Sequence, residues 1–107
     1  MSYKILLVDD DPLSLVALQY QLEYAGYRVD ALASAEAARE AFASGKQEYA
    51  LAILDYQLGS ESGSDLASSL RALSPKTYML IYSGDPSREA LKSSWEAGAV
   101  GFIEKGT

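Results

Sequence analysis

Apolar positions along the chain follow two rhythms that alternate from one end to the other. Residues 3–8, 50–54, 77–82 and 100–103 are short, largely apolar runs, the pattern of strands buried on both faces. Residues 27–32, Tyr-Arg-Val-Asp-Ala-Leu, are more polar and read as an edge strand. Between these runs the apolar spacing lengthens to three and four. Leu15, Leu18, Leu22 and Ala25 mark one face of a helix over about residues 12–25. Asp11-Pro12 starts it, because the carboxylate accepts from free amides and proline loses nothing at the first helical position. Gly26 stops it. Ser34 opens a second helix, with Ala35, Ala38 and Phe42 inward, and Gly45 closes it. Leu66, Leu70 and Leu73 mark a third, ended before Pro75. Asp85-Pro86 repeats the start signal for a fourth, in which Leu91 and Trp95 lie one turn apart as packing residues before Gly98.

Strands alternating with helices predict right-handed crossovers and a parallel five-stranded sheet covered on both sides, an α/β fold. One domain over residues 1–107 is expected. The last helix of such a fold is absent: the chain runs only four residues past the fifth strand, so the expectation is a domain cut short before its fifth helix.

Composition narrows the chemistry. A formal net charge of −6 and a pI near 4.5 oppose direct nucleic-acid binding and anionic membrane surfaces. The chain has no cysteine, which excludes disulfides and thiolate metal sites, and no histidine, which excludes Ser-His or Cys-His catalysis and imidazole ligation by its own residues. No apolar run reaches the roughly 20 residues needed to cross a bilayer, and no signal-peptide pattern is seen. A cytoplasmic location fits.

In open parallel sheets, sites lie just beyond the carboxyl ends of the strands. Here the first strand ends in Asp9-Asp10-Asp11, the third in Asp55, the fourth in Ser83-Gly84-Asp85 and the fifth in Glu104-Lys105. Adjacent carboxylates repel, so either a positive charge compensates them or they form a solvated turn. Taken alone, the acidic triplet is best read as a capped turn, Lys105 as a solvated lysine and Ser83 as a capping hydroxyl. Their joint placement on one edge favours a site.

With these residues in place, the chain resembles the receiver domain of bacterial two-component response regulators over essentially its whole length. The acidic pair matches Asp9-Asp10, the phosphate-accepting aspartate Asp55, the hydroxyl Ser83 with small Gly84 after it, the lysine Lys105 and the aromatic Phe102. The loop DYQLGSESG keeps the family spacing from Asp55 through Leu58 to Gly63. The resemblance implies a flavodoxin-like, doubly wound fold with strand order 2-1-3-4-5. It implies phosphorylation of Asp55 by a histidine kinase or histidine phosphotransfer protein, with output through a further domain or downstream protein. Mg²⁺ is the implied cofactor, held by Asp10, Asp55 and the Gln57 carbonyl, with Asp9 acting through water; such a hard cation suits carboxylate oxygens. Ser83, Gly84 and Lys105 would receive the phosphoryl group, Ser83 and Phe102 would switch, and Gln57 and Asp85 would tune dephosphorylation. A homodimer through the fourth helix and fifth strand is a further implied contact.

Two departures stand out. Gly59 replaces a usual proline, which should loosen its loop, and Gly106 follows Lys105 where a proline is common. Two other functions compete. A haloacid-dehalogenase-type phosphatase would make Asp9 the nucleophile and Asp11 the acid/base, leaving Asp55 unexplained. A pseudo-receiver would use the domain for contact alone.

Overall fold

The computed structural model describes residues 4–84 and 87–105. Eleven elements follow one another: β1 (Lys4–Val8), α1 (Pro12–Tyr24), β2 (Arg28–Leu32), α2 (Ala35–Ser44), β3 (Leu51–Asp55), β4 (Gln57–Leu58), β5 (Glu61–Ser62), α3 (Gly63–Leu73), β6 (Tyr78–Ser83), α4 (Arg88–Glu96) and β7 (Gly101–Glu104). Five strands form one parallel sheet in the order β2-β1-β3-β6-β7, which is the expected 2-1-3-4-5 order of the main strands. β4 and β5 are a separate two-stranded antiparallel ladder, which periodicity did not foretell.

The two faces of the sheet are filled unequally. Leu6, Val8, Ala52, Leu54, Met79 and Ile81 point to one side, where Ala35 and Ala38 of α2 and Leu66, Ala67 and Leu70 of α3 complete a large core. Ile5, Leu7, Ile53 and Tyr82 point to the other, packed by Leu15, Leu18 and Leu22 of α1. This division is the two-residue alternation of strands. Asp9 and Asp55 continue the second series, so both carboxylates emerge on the α1 side at the carboxyl edge.

Caps fix the helix starts. Asp11 accepts from the Leu13 amide, Ser34 from that of Ala37 and Ser62 from that of Asp65, each satisfying a donor the helix leaves free. The fourth helix corrects the sequence reading: Ser87 caps it, accepting from the Ala90 amide, and Asp85-Pro86 lies outside the described residues. Three packing expectations also fail. Leu73, Leu91 and Trp95 are exposed, Trp95 at 51%. Helix α1 is apolar on both sides, and opposite its sheet-facing leucines Leu13, Val16, Tyr20 and Tyr24 form an exposed stripe.

Candidate functional site

Strand β1 delivers Asp9 and Asp10 to the carboxyl edge of the sheet, and their surroundings differ sharply. Asp9 is fully buried. Its Oδ1 accepts from the Asp11 amide at 2.9 Å, while Oδ2 accepts from the Tyr82 hydroxyl and from Lys105 Nζ at 3.5 Å. Asp10 is exposed, and its Oδ2 accepts from the Gly59 amide at 3.1 Å. Asp11 turns away to cap α1, bonded to the Ser14 hydroxyl at 2.7 Å, which holds its carboxyl below the usual range.

Asp55 closes β3 beside them. It is 5% exposed, and Lys105 Nζ lies 3.2 Å from its Oδ2. Burial, together with the neighbouring Asp9 carboxylate, raises its pKa to about 6; Lys105 and the Gln57 amide pull the other way. Lys105 has its own balance: burial opposes its charge, but Asp55 and Asp9 more than offset that and raise its pKa. A glycine is required next to this strand end. A Cβ at Gly63 would stand 2.3 Å from the Asp55 carbonyl oxygen, and the Gly63 amide donates to the Tyr56 carbonyl at 2.6 Å. The start of α3 is thereby packed directly on the backbone of Asp55.

The β4–β5 hairpin forms the outer rim, and Gly59 at its turn makes a contact that the sequence reading did not include. Gly59 has φ +67°, a left-handed turn conformation closed to proline, whose φ is fixed near −65°. Its amide, which proline would lack, ties the hairpin to Asp10. The glycine therefore anchors this loop by a contact that the common residue could not make. Glu61 adds a second tie, accepting from both terminal nitrogens of Arg39 at 2.7 and 2.6 Å, a fork that joins the hairpin to α2.

Together these segments enclose an open cleft of about 790 Å³ lined by Asp10, Asp55, Tyr56, Gln57, Gly84 and Lys105 among others. Two of the residues singled out in the sequence lie behind it instead. Asp9 is sealed by its partners, and Ser83 is buried at the end of β6, where its carbonyl accepts from the Lys105 amide at 2.7 Å. Phe102 pairs in register with Ile81 and packs against the larger core, on the side to which Ser83 also alternates. Asp85 and Gly106 lie outside the described residues.

Sequence reasoning missed three features. Tyr82 reaches Asp9 from two strands away. Gly63 was noted only as the end of a loop. The Tyr56 hydroxyl lies 3.1 Å from that of Ser93, which in turn lies 3.1 Å from that of Ser64, linking the residue after Asp55 to α3 and α4. The alternation of 78, 80 and 82 onto the Asp55 face was the one available signal for Tyr82.

Carboxylate oxygens of Asp9, Asp10 and Asp55 lie within 4.8 Å of one another. An all-oxygen, all-anionic donor set of this size suits a hard divalent cation such as Mg²⁺. Among the described residues, no helix is long and apolar enough to cross a membrane.

Comparison with known proteins agrees with this geometry. A family model for the response regulator receiver domain matches residues 5–107. The alginate biosynthesis transcriptional regulatory protein AlgB of Pseudomonas aeruginosa is 33% identical over 102 residues, covering 95% of this chain and 22% of that protein. The sensory/regulatory protein RpfC of Xanthomonas campestris is 30% identical over 108 residues, covering 97% of this chain and 15% of that protein. The chain therefore spans only a small part of the length of these curated relatives. Among solved structures, a CheY-like receiver domain protein from Methanospirillum hungatei superposes with a TM-score of 0.91 at 29% identity, covering 100% of this chain and 84% of that one. Response regulator TrrA of Thermotoga maritima, solved in complex with Mg²⁺-BeF, gives 0.84 at 29% identity, covering 96% and 86%.

Proposed function

The chain belongs to the response regulator receiver domain family, and from that membership we propose that it is a phosphorylation-operated signalling switch with Asp55 as its phosphoryl acceptor. One observation carries the choice of acceptor. Among the described residues, Asp55 alone belongs to the acidic triad, opens onto the cleft and pairs with Lys105. Asp9 meets the first and last conditions but does not line the cleft, and Asp10 meets the first two without the lysine. A dehalogenase-type reading needs Asp9 as nucleophile, yet both its oxygens are already engaged in a buried site.

The donor is a phosphohistidine on a histidine kinase or phosphotransfer protein. An Asp55 oxygen attacks phosphorus, the P–O bond forms as the P–N bond breaks, and the departing imidazole nitrogen takes a proton. Lys105, already on Asp55 Oδ2, is placed to follow the charge onto the phosphoryl oxygens. Gly84 lines the cleft wall, where its amide would be a further donor, and the Ser83 hydroxyl would turn toward the new phosphoryl group, with Phe102 moving inward into the space released. Asp10, Asp55 and the Gln57 carbonyl would hold Mg²⁺, with Asp9 behind a water. When bound, the ion offsets repulsion between carboxylate and phosphoryl oxygens. The TrrA complex with Mg²⁺-BeF supports that reading. The Gln57 side chain, exposed at the cleft, would set the access of hydrolytic water.

Any macromolecular donor must touch the rim of the cleft, which Asp11 lines, and next to it Leu13 in the first turn of α1 is 82% exposed. The output lies in a further domain or a downstream partner. Exposed Trp95, Val100 and Ile103 give the α4–β7 face apolar surface for a second copy. Receiver domains are phosphoacceptor modules rather than conventional enzymes, and a cytoplasmic location suits a kinase partner.

The test is incubation with Mg²⁺ and a small acyl phosphate, followed by peptide mass spectrometry. A base-labile phosphoryl group on Asp55 is expected, absent with chelator and in Asp55→Asn. Folded protein that stays unmodified, or that carries the group on another aspartate, would overturn the assignment.

A further inference from the structure

Tyr82 has no part in the roles assigned above. It is a buried residue on β6, directly in register with Asp55 of β3. Its side chain crosses β3 on the α1 side of the sheet, and its hydroxyl donates to Asp9 Oδ2 on β1. Lys105 Nζ lies 4.8 Å from its ring centroid, close enough for a cation–π contact. One side chain thus touches the buried acid and the lysine, and runs beneath the acceptor strand between them.

A tyrosine is an uncommon choice for such a position if only volume is needed, since phenylalanine fills almost the same space without a polar atom to satisfy. A buried phenol needs a hydrogen-bond partner, and this one uses a carboxylate two strands away. Asp9 is then held at both ends, by the Asp11 amide on Oδ1 and by Tyr82 on Oδ2.

We propose that Tyr82 is a positioning residue for the cation site: its hydroxyl clamps the inner oxygen of Asp9 while its ring supports Lys105. Asp9 thereby serves the ion from behind, and Asp10 and Asp55 are left to face the cleft. The inference rests on the receiver reading of the site and concerns how that site is held in shape. Partners that orient metal-site carboxylates typically change affinity about 10- to 100-fold when removed.

The experiment is calorimetric titration of unphosphorylated protein with Mg²⁺ and, separately, Mn²⁺. Tyr82→Phe, which keeps the ring, should bind each ion roughly tenfold more weakly. Introduced into Asp9→Asn, the same change should add little, because its route of action is gone. A merely structural role would lower the thermal midpoint in chelator and leave ion affinity unchanged, and that result overturns the proposal, as does full additivity with Asp9→Asn. In case the variant folds poorly, proton NMR of the unaltered chain supplies a second test. The Tyr82 hydroxyl proton, slowed in exchange by its buried partner, should shift on adding Mg²⁺, and an unmoved signal counts against the clamp. If the unaltered chain binds no ion, the cation site and this inference fall together; binding that Tyr82→Phe leaves intact removes only the inference.

Discussion

Asp9 and Asp10 are neighbours in sequence and opposites in circumstance. The inner wall of the site, made by Asp9, Asp55, Tyr82 and Lys105, is largely buried and joined side chain to side chain across intervening strands. The outer rim, made by Asp10 and the β4–β5 hairpin, is open and held by one backbone amide and one arginine fork. In the inner wall, low exposure makes each partner costly to remove and shifts the titration of Asp55. At the rim, water can replace a partner that is taken away. A single site therefore contains a part set by the sheet and a part free to adjust to what binds.

Substitutions can break this contrast, and the largest effect should come from Gly63→Ala. Its methyl would meet the Asp55 carbonyl oxygen at 2.3 Å, a backbone atom with no flexible end to give way. A loss of about 3 kcal/mol is expected, which lowers the thermal midpoint by more than roughly 10 °C. A melt within a few degrees of the unaltered protein would show that α3 is not packed rigidly on β3.

Asp55→Asn should act next, and in the opposite direction. The raised pKa of Asp55 means that the folded state holds this proton more tightly than the unfolded chain does. Stability from this group is complete below about pH 4 and is lost as pH rises through about 6. In chelator at pH 7 the asparagine variant should therefore be more stable, by on the order of 1–2 kcal/mol, with a flatter pH dependence between those limits. Urea denaturation across that range checks the sign; equal slopes for the two proteins would mean that the ionised acid is well compensated.

Gly59→Pro tests the rim. It denies the +67° turn and removes the amide on Asp10, for a cost of about 1–2 kcal/mol. Hydrogen exchange should quicken in the hairpin while the amides of β3 and β6 stay protected. Smallest of all, Arg39→Ala should cost about 0.5–1 kcal/mol, since the fork is partly exposed. It should leave the Asp55 titration where it was, as read by carboxyl NMR. A moved titration would join the two regions that the structure keeps apart.

Much of this architecture could be read before any coordinates. Strand alternation sent 5, 7 and 9, and 51, 53 and 55, to one face, and the parallel order brought their ends together. What escaped detection depends on contacts rather than patterns. Helical spacing groups Leu91 and Trp95 on one face but does not reveal whether anything covers that face, and here it is exposed. Asp85-Pro86 carried the start signal by composition, and only hydrogen bonding reveals that Ser87 caps the helix. Tyr82 was legible only as the last residue of a strand run, because its hydroxyl's destination lies 73 residues away in sequence. Gly59 read as a weak point because the family pattern said which residue was missing, not what a glycine supplies in its place.

That glycine also bears on how an ion would enter. Since Oδ2 of Asp10 already rests on the Gly59 amide, a cation that took that oxygen would exchange one partner for another rather than fill an idle seat. Part of the gain on binding would then go to releasing the hairpin tip, and the tip's freedom would become a readout of occupancy. A partner that grips the tip would thus adjust, by mass action alone, how readily the acids accept their counterion.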